Sequence, residues 1–177
     1  KDARTLVVAT QSYSTLPNTQ LMVVDMDSAG AGSRLLPLAQ ASEGVFGSGG
    51  AAGVLFFTRL DFQGSHTRRY AGGTAQNLWR VELADDSSAR AEATPMTADY
   101  DGTSATPMWS TADARVYFRS DRDGVMNIWS MTAEGKNLKQ HTHHTDYEVK
   151  SPSMWKGRIA YQLGADIWIL ETASGES

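Results

Sequence analysis

Two adjacent arginines and a tyrosine, Arg68-Arg69-Tyr70, stand in a stretch rich in glycine and polar residues between Gln63 and Gln76. A guanidinium is a planar fork of N–H donors that pairs with a carboxylate through two parallel hydrogen bonds. The chemistry on offer is therefore capture of a peptide carboxylate, and a solvated or inter-subunit loop is the competing reading. Insertions this long inside a repeat unit tend to bind something or to form an interface. Four histidines, His66, His141, His143 and His144, raise metal ligation. On a strand His141 and His143 would share a face, and Asp146 could add an oxygen. The segment reads as a polar connection between repeat units, however, so these side chains are expected in solvent and no metal site is assigned.

Ser120-Asp121-Arg122-Asp123-Gly124 is rich in carboxylates. It lacks the Asp-x-Asp-x-Asp-Gly order and the distal Glu of a calcium loop. It reads as a turn in which Asp caps backbone amides and Gly takes a positive φ. The pairs Asp85/Asp86 and Asp99/Asp101 read as surface turns as well. A serine nucleophile needs a positioned base and an oxyanion hole. Neither Gly64-Ser65-His66 nor Gly102-Thr103-Ser104 is a Gly-x-Ser-x-Gly elbow. No catalytic residue and no cofactor are assigned.

Elements must hold these loops, and composition narrows which. The 177 residues carry a net charge of −4 and 41% apolar residues, with no cysteine. Disulfides, thiolate metal sites and cysteine nucleophiles are thereby excluded. The acidic balance gives no basic surface for nucleic acid or anionic membrane, and no apolar run reaches the length of a membrane span. The chain opens on Lys1 and enters a strand almost at once, which predicts a processed product or an excised fragment.

The sequence repeats itself. Thr106-Pro107-Met108-Trp109 is echoed by Ser151-Pro152-Ser153-Met154-Trp155, and Asn127-Ile128-Trp129 by Asp166-Ile167-Trp168. Val54–Arg59 and Asn77–Leu83 form a looser copy, and Thr5–Ala9, Gln20–Asp25 and Ser33–Leu38 repeat the order once more. Short apolar runs between Gly, Asp, Asn and Ser turns are strands. Trp79, Val81 and Leu83 alternate onto one face. Four strands per unit at a period of roughly 40–50 residues specify an all-β propeller of antiparallel blades. A lone twisted sheet cannot bury both its faces, whereas radial stacking covers them. The tryptophan recurring on one strand of the last three units, Trp79, Trp129 and Trp168, would wedge between blades. The blades span about residues 1–40, 41–98, 99–142 and 143–177, a partial propeller of about three and a half blades. Open blade faces are pairing surfaces, so they are expected to pack on another chain or to drive self-association.

The stretch from Phe118 to Met131, with its Ser-Asp-Arg-Asp-Gly…Ile-Trp pattern, is similar to TolB-like propeller repeats. Thr58–Trp79, with its arginine pair and Gly72-Gly73, resembles the long inter-strand segment of the tricorn protease N-terminal propeller. Asn137–Tyr147 and Tyr161–Trp168 continue that resemblance in order, so it covers roughly residues 54–170. It implies a non-catalytic propeller segment of a large oligomeric serine peptidase, whose catalytic residues belong to a domain with no counterpart here. Such a segment would support assembly and guide peptides in or out, with Arg68, Arg69 and Tyr70 as the peptide-binding residues. Its partners would be peptides and the remaining domains of the parent protease, in the cytoplasm or alternatively the periplasm. A TolB-like interaction propeller and the lid propeller of a prolyl-oligopeptidase-type hydrolase are the competing readings.

Overall fold

The computed structural model describes residues 5–16, 18–28, 32–62, 69–84, 88–90 and 92–172. Among these residues fourteen strands form four antiparallel sheets, each a meander of sequence neighbours. The first sheet holds β1 (Thr5–Thr10), β2 (Gln20–Asp25) and β3 (Ser33–Leu35). The second holds β4 (Gly44–Phe46), β5 (Val54–Thr58), β6 (Leu78–Glu82) and β7 (Thr94–Pro95). The third holds β8 (Ser104–Ser110), β9 (Arg115–Ser120), β10 (Asn127–Thr132) and β11 (Lys139–Gln140). The last holds β12 (Val149–Trp155), β13 (Arg158–Leu163) and β14 (Asp166–Glu171). The first strand β8 lies against both β4 and β12, the first strands of the neighbouring sheets, as it must in sheets stacked radially about an axis. The chain is thus a partial β-propeller. No helix among the described residues is long and apolar enough to cross a membrane.

Strand alternation explains the stacking. Neighbouring side chains leave a strand on opposite faces, so Phe57 joins the core between the first and second sheets while Phe56 joins the core between the second and third. Phe118 and Tyr117 divide in the same way between the second and third seams. Opposite these aromatics stand the recurring tryptophans, in the pairs Phe57↔Trp79, Phe118↔Trp129 and Tyr161↔Trp168. Trp79 and Trp129 pack against the first and second seams. Trp109 adds a second wedge, stacked on Phe56 at 5.3 Å and 11°, with its indole N–H donating to Ser48 Oγ at 3.1 Å.

The echo of Trp109 in Trp155 does not survive folding. Trp109 pairs with Val116 and Met154 with Ile159, and both Val116 and Ile159 face the preceding sheet. Met154 therefore occupies the place of Trp109, and Trp155 falls one step further, on the opposite face, 74% exposed. Spacing decides this: Trp109 stands seven positions before Val116 and Trp155 only four before Ile159, and the odd difference reverses the face, since Ser110 separates Trp109 from its hairpin whereas Trp155 directly precedes its own. Four residues, Thr111–Ala114, link β8 to β9, but only Lys156 and Gly157 link β12 to β13, both at positive φ as a tight two-residue hairpin requires.

Candidate functional site

Sheet meanders place alternate connections at one end of the stack. The β1–β2, β5–β6 and β9–β10 loops and the links between sheets gather there, and polar contacts knit them together. Asp61 accepts from Thr19 Oγ1 and Ser42 Oγ, both at 3.2 Å, and from the N–H of Phe62 at 2.7 Å. The other root of the β5–β6 loop is fixed by the Gly72 N–H, which donates to the Asp101 carbonyl at 3.0 Å. The Tyr70 ring folds over Gly72, where a β-carbon would come within 2.8 Å of Oη, and Thr74 Oγ1 donates to that oxygen at 2.9 Å. Arg69 adopts φ 54° and is exposed. Its guanidinium carbon lies 3.7 Å from the point where a β-carbon on Gly124 would stand, so it rests on the turn of the next sheet. Arg69 and Tyr70 therefore leave a pinned root at the loop-bearing end. Arg68 lies outside the described residues, as do Ser65, His66, Asp85 and Asp86.

The turn beneath Arg69 is the Ser-Asp-Arg-Asp-Gly motif. Asp121 is buried and accepts from Tyr100 Oη and from the Thr103 N–H, both at 2.9 Å. The Gly124 N–H closes the turn onto the Asp121 carbonyl at 2.8 Å, and Gly124 sits at φ 100°, where a side chain is strained. Arg122 turns inward. Its guanidinium carbon stands 5.1 Å from the Tyr100 ring centre, 5.4 Å from Trp129 and 5.7 Å from Phe118. Its Nε donates to Ser120 Oγ at 3.2 Å, and an Nη reaches Ser104 Oγ at 3.5 Å. Burial pulls Arg122 below its ordinary pKa. Burial first, and then the hydrogen bond to Asp121, raise Tyr100 to about 12. The motif is a turn, as its composition suggests, but the caged arginine is not legible from that composition.

The described histidines, His141, His143 and His144, do not converge on a metal site. The connection after β11 was expected in solvent, yet His141 and Thr142 are buried there. His141 Nε2 meets Ser130 Oγ at 2.8 Å and its ring lies 4.8 Å from that of Tyr117. Burial, followed by the charges of Lys139 and Arg115, pushes it down to about 4. His144 meets Tyr161 Oη at 3.1 Å and presents an edge to Trp168. Burial and His143 lower its pKa, while His143 itself is exposed. The physical reason is that the connection is stapled to the sheet. Asn127 Oδ1 accepts from Thr142 Oγ1 at 2.8 Å and from the His144 N–H at 3.0 Å, and Asn77 with Thr97 repeats the staple in the second sheet. No three potential metal ligands cluster among the described residues.

Serine chemistry finds no site among the described residues either. Ser104 is buried beside Ser120 and Arg122, with no imidazole in contact among the described residues. The Ser130–His141 contact spans the β10–β11 hairpin, and only that hairpin's register could have revealed it. Ser130 is fully buried, and its hydroxyl oxygen accepts from Arg115 Nε at 2.7 Å. The pair is a seam element without access to a substrate.

Comparison with known proteins agrees with this architecture. The chain matches the Tricorn protease N-terminal beta propeller domain family over residues 1–176. It is 35% identical over 102 residues to a tricorn protease homolog of Saccharolobus solfataricus, covering 58% of this chain and 9% of the relative. It is 25% identical over 174 residues to tricorn protease homolog 1 of Streptomyces coelicolor, covering 98% of this chain and 15% of the relative. The chain thus spans only a small part of the length of these curated relatives. The crystal structure of the tricorn protease superimposes with a TM-score of 0.77 at 25% identity, over 97% of this chain and 15% of that one. TolB from Acinetobacter baumannii shares the fold, with a TM-score of 0.68 at 14% identity, over 99% of this chain and 40% of that one.

Proposed function

Because the chain belongs to the tricorn protease N-terminal β-propeller family, we propose that it is a non-catalytic propeller segment of a tricorn-like serine protease that guides peptides to or from a catalytic chamber elsewhere in the assembly. It does so as one unit with blades spanning about 1–40, 41–98, 99–142 and 143–177. Arg68 and Arg69, with Tyr70, hold the free carboxylate of a passing peptide. The observation that carries this reading is the placement of Arg69: exposed, at the loop-bearing end, with its guanidinium laid on the turn of the next sheet. A guanidinium there can pair bidentately with a carboxylate. The outward apolar side chains Leu6 and Val8 on β1, and Trp155, Ile167 and Ile169 on β12 and β14, are covered in the assembled protease or by a second copy.

A TolB-like interaction propeller is the weaker reading, since at 14% identity that likeness speaks for the fold alone. Two forms of one labelled peptide, with a free and an amidated C-terminus, test the proposal by fluorescence anisotropy on this chain. The free acid should bind more tightly, and Arg68→Ala/Arg69→Ala should abolish the difference. Equal affinity of parent and variant for the free acid would end the carboxylate reading.

A further inference from the structure

We propose that Arg122 is the positioning residue of the arginine clamp: it locks the Asp121–Gly124 turn on which the Arg69 guanidinium rests. The inference rests on the carboxylate reading above and adds a residue to it.

Arg69 alone is a poor clamp. An exposed arginine has many rotamers, and binding must freeze them. A fixed wall beneath the guanidinium removes part of that cost in advance. Gly124 is that wall, since the Arg69 guanidinium lies in van der Waals range, 3.7 Å, of the point where a β-carbon on it would stand. The wall is useful only if the turn is rigid, and what makes it rigid is Arg122. Three aromatic rings from three places in the chain surround its guanidinium: Tyr100 before β8, Phe118 on β9 and Trp129 on β10. Cation–π contact of this kind favours a planar guanidinium over an ammonium. Hydrogen bonds to Ser120 and Ser104 fix its direction. Tyr100 also donates to Asp121, so one ring braces two consecutive residues of the turn. From Arg122 to Gly124 is two residues, and the Gly124 N–H to Asp121 carbonyl bond closes that interval. Little slack remains between the cage and the platform.

The readout is the ratio of affinities for the amidated and free-acid forms of one fluorescein-labelled peptide. A clamp built on charge-assisted hydrogen bonds should give a ratio of about tenfold or more in the parent chain. Arg69→Ala should bring it close to one. Arg122→Lys keeps the charge and loses the planar stack, and Arg122→Met keeps the aliphatic stem. Both should reduce the ratio severalfold while circular dichroism and the unfolding midpoint report a folded chain. Adding Arg122→Lys to Arg69→Ala should lower the ratio no further, because the first acts only through the second.

A parent-like ratio in folded Arg122→Lys overturns the inference, as does an additive loss in the double variant. If Arg122→Met does not fold, Arg122→Lys carries the test. The Arg69 Nε–H resonance provides a further check, since it should sharpen towards a freely moving signal in Arg122→Lys and stay ordered in the parent. A parent ratio of one sinks the carboxylate reading itself and takes this inference down with it. A high parent ratio that ignores Arg122 sinks the inference alone.

Discussion

The carboxylate of Glu43, just before β4, accepts both the backbone N–H and the hydroxyl of Thr106 on β8, at 2.7 and 3.1 Å, across 63 positions of sequence. Thr106 is a β-branched residue at φ 56°, immediately before Pro107, at the bulge where β8 slips its register against β9. That conformation is costly for such a residue, and the clasp from the neighbouring sheet holds it. Gln76 Nε2 donates to the same carboxylate at 3.4 Å.

Removing the clasp should therefore weaken the seam between the second and third sheets. Glu43→Ala is expected to cost about 1–3 kcal/mol, because a half-buried N–H and a hydroxyl lose a charged acceptor. Thr106→Gly accepts the left-handed backbone unaided, so Glu43→Ala should cost less in that background. Urea midpoints of the four chains of this cycle decide the matter, and equal costs in both backgrounds would contradict the strain argument.

The two tryptophans of the apparent repeat should behave oppositely. Trp109 is stacked on Phe56 and bonded to Ser48, so Trp109→Ala is expected to cost about 2–4 kcal/mol. Trp155 is 74% exposed, and Trp155→Ala should change the stability of this chain by no more than about 0.5 kcal/mol. Denaturation of both variants tests the register directly. A large loss at Trp155 would mean that the β12–β13 hairpin is paired otherwise.

How much of this was legible beforehand depends on how local the cause is. Strands, turns and the wedge tryptophans Trp79 and Trp129 were, because alternation and turn chemistry act over a few residues. The family was legible from motif order. The shift of Trp155 was not, since a side chain's face is set by its spacing to the partner strand, and Trp155 directly precedes its hairpin whereas Ser110 separates Trp109 from its own. The burial of His141 escaped for a different reason. A polar connection reads as solvated unless one knows that Asn127 staples it to the sheet. The cage of Arg122 needs three segments to converge, and no single window of sequence holds them.

This chain alone should show no peptidase activity. Among the described residues the only serine hydroxyl seen against an imidazole is that of Ser130, sealed in a seam and held by Arg115. A panel of fluorogenic peptides incubated with the purified chain should give only the buffer rate. Robust cleavage abolished by Ser65→Ala, Ser104→Ala or Ser130→Ala would assign catalysis to this propeller after all.

Acid should loosen the seam between the third and last sheets through His141. Its folded pKa of about 4 lies below the ordinary 6.5, so the unfolded chain takes up the proton first as pH falls. The stabilisation is whole above about pH 6.5, declines between 6.5 and 4, and has gone below that, amounting to up to about 2–3 kcal/mol. Lys139, Arg115 and His143 face the ring and disfavour its charge, while Asp113 opposes them. His144 shifts in the same direction, against Tyr161 of the last sheet. His141→Gln removes the titration, so its urea midpoint should fall less than the parent's between pH 7 and 4.5. Parallel lines for the two chains across that window would show that His141 does not couple protonation to the seam.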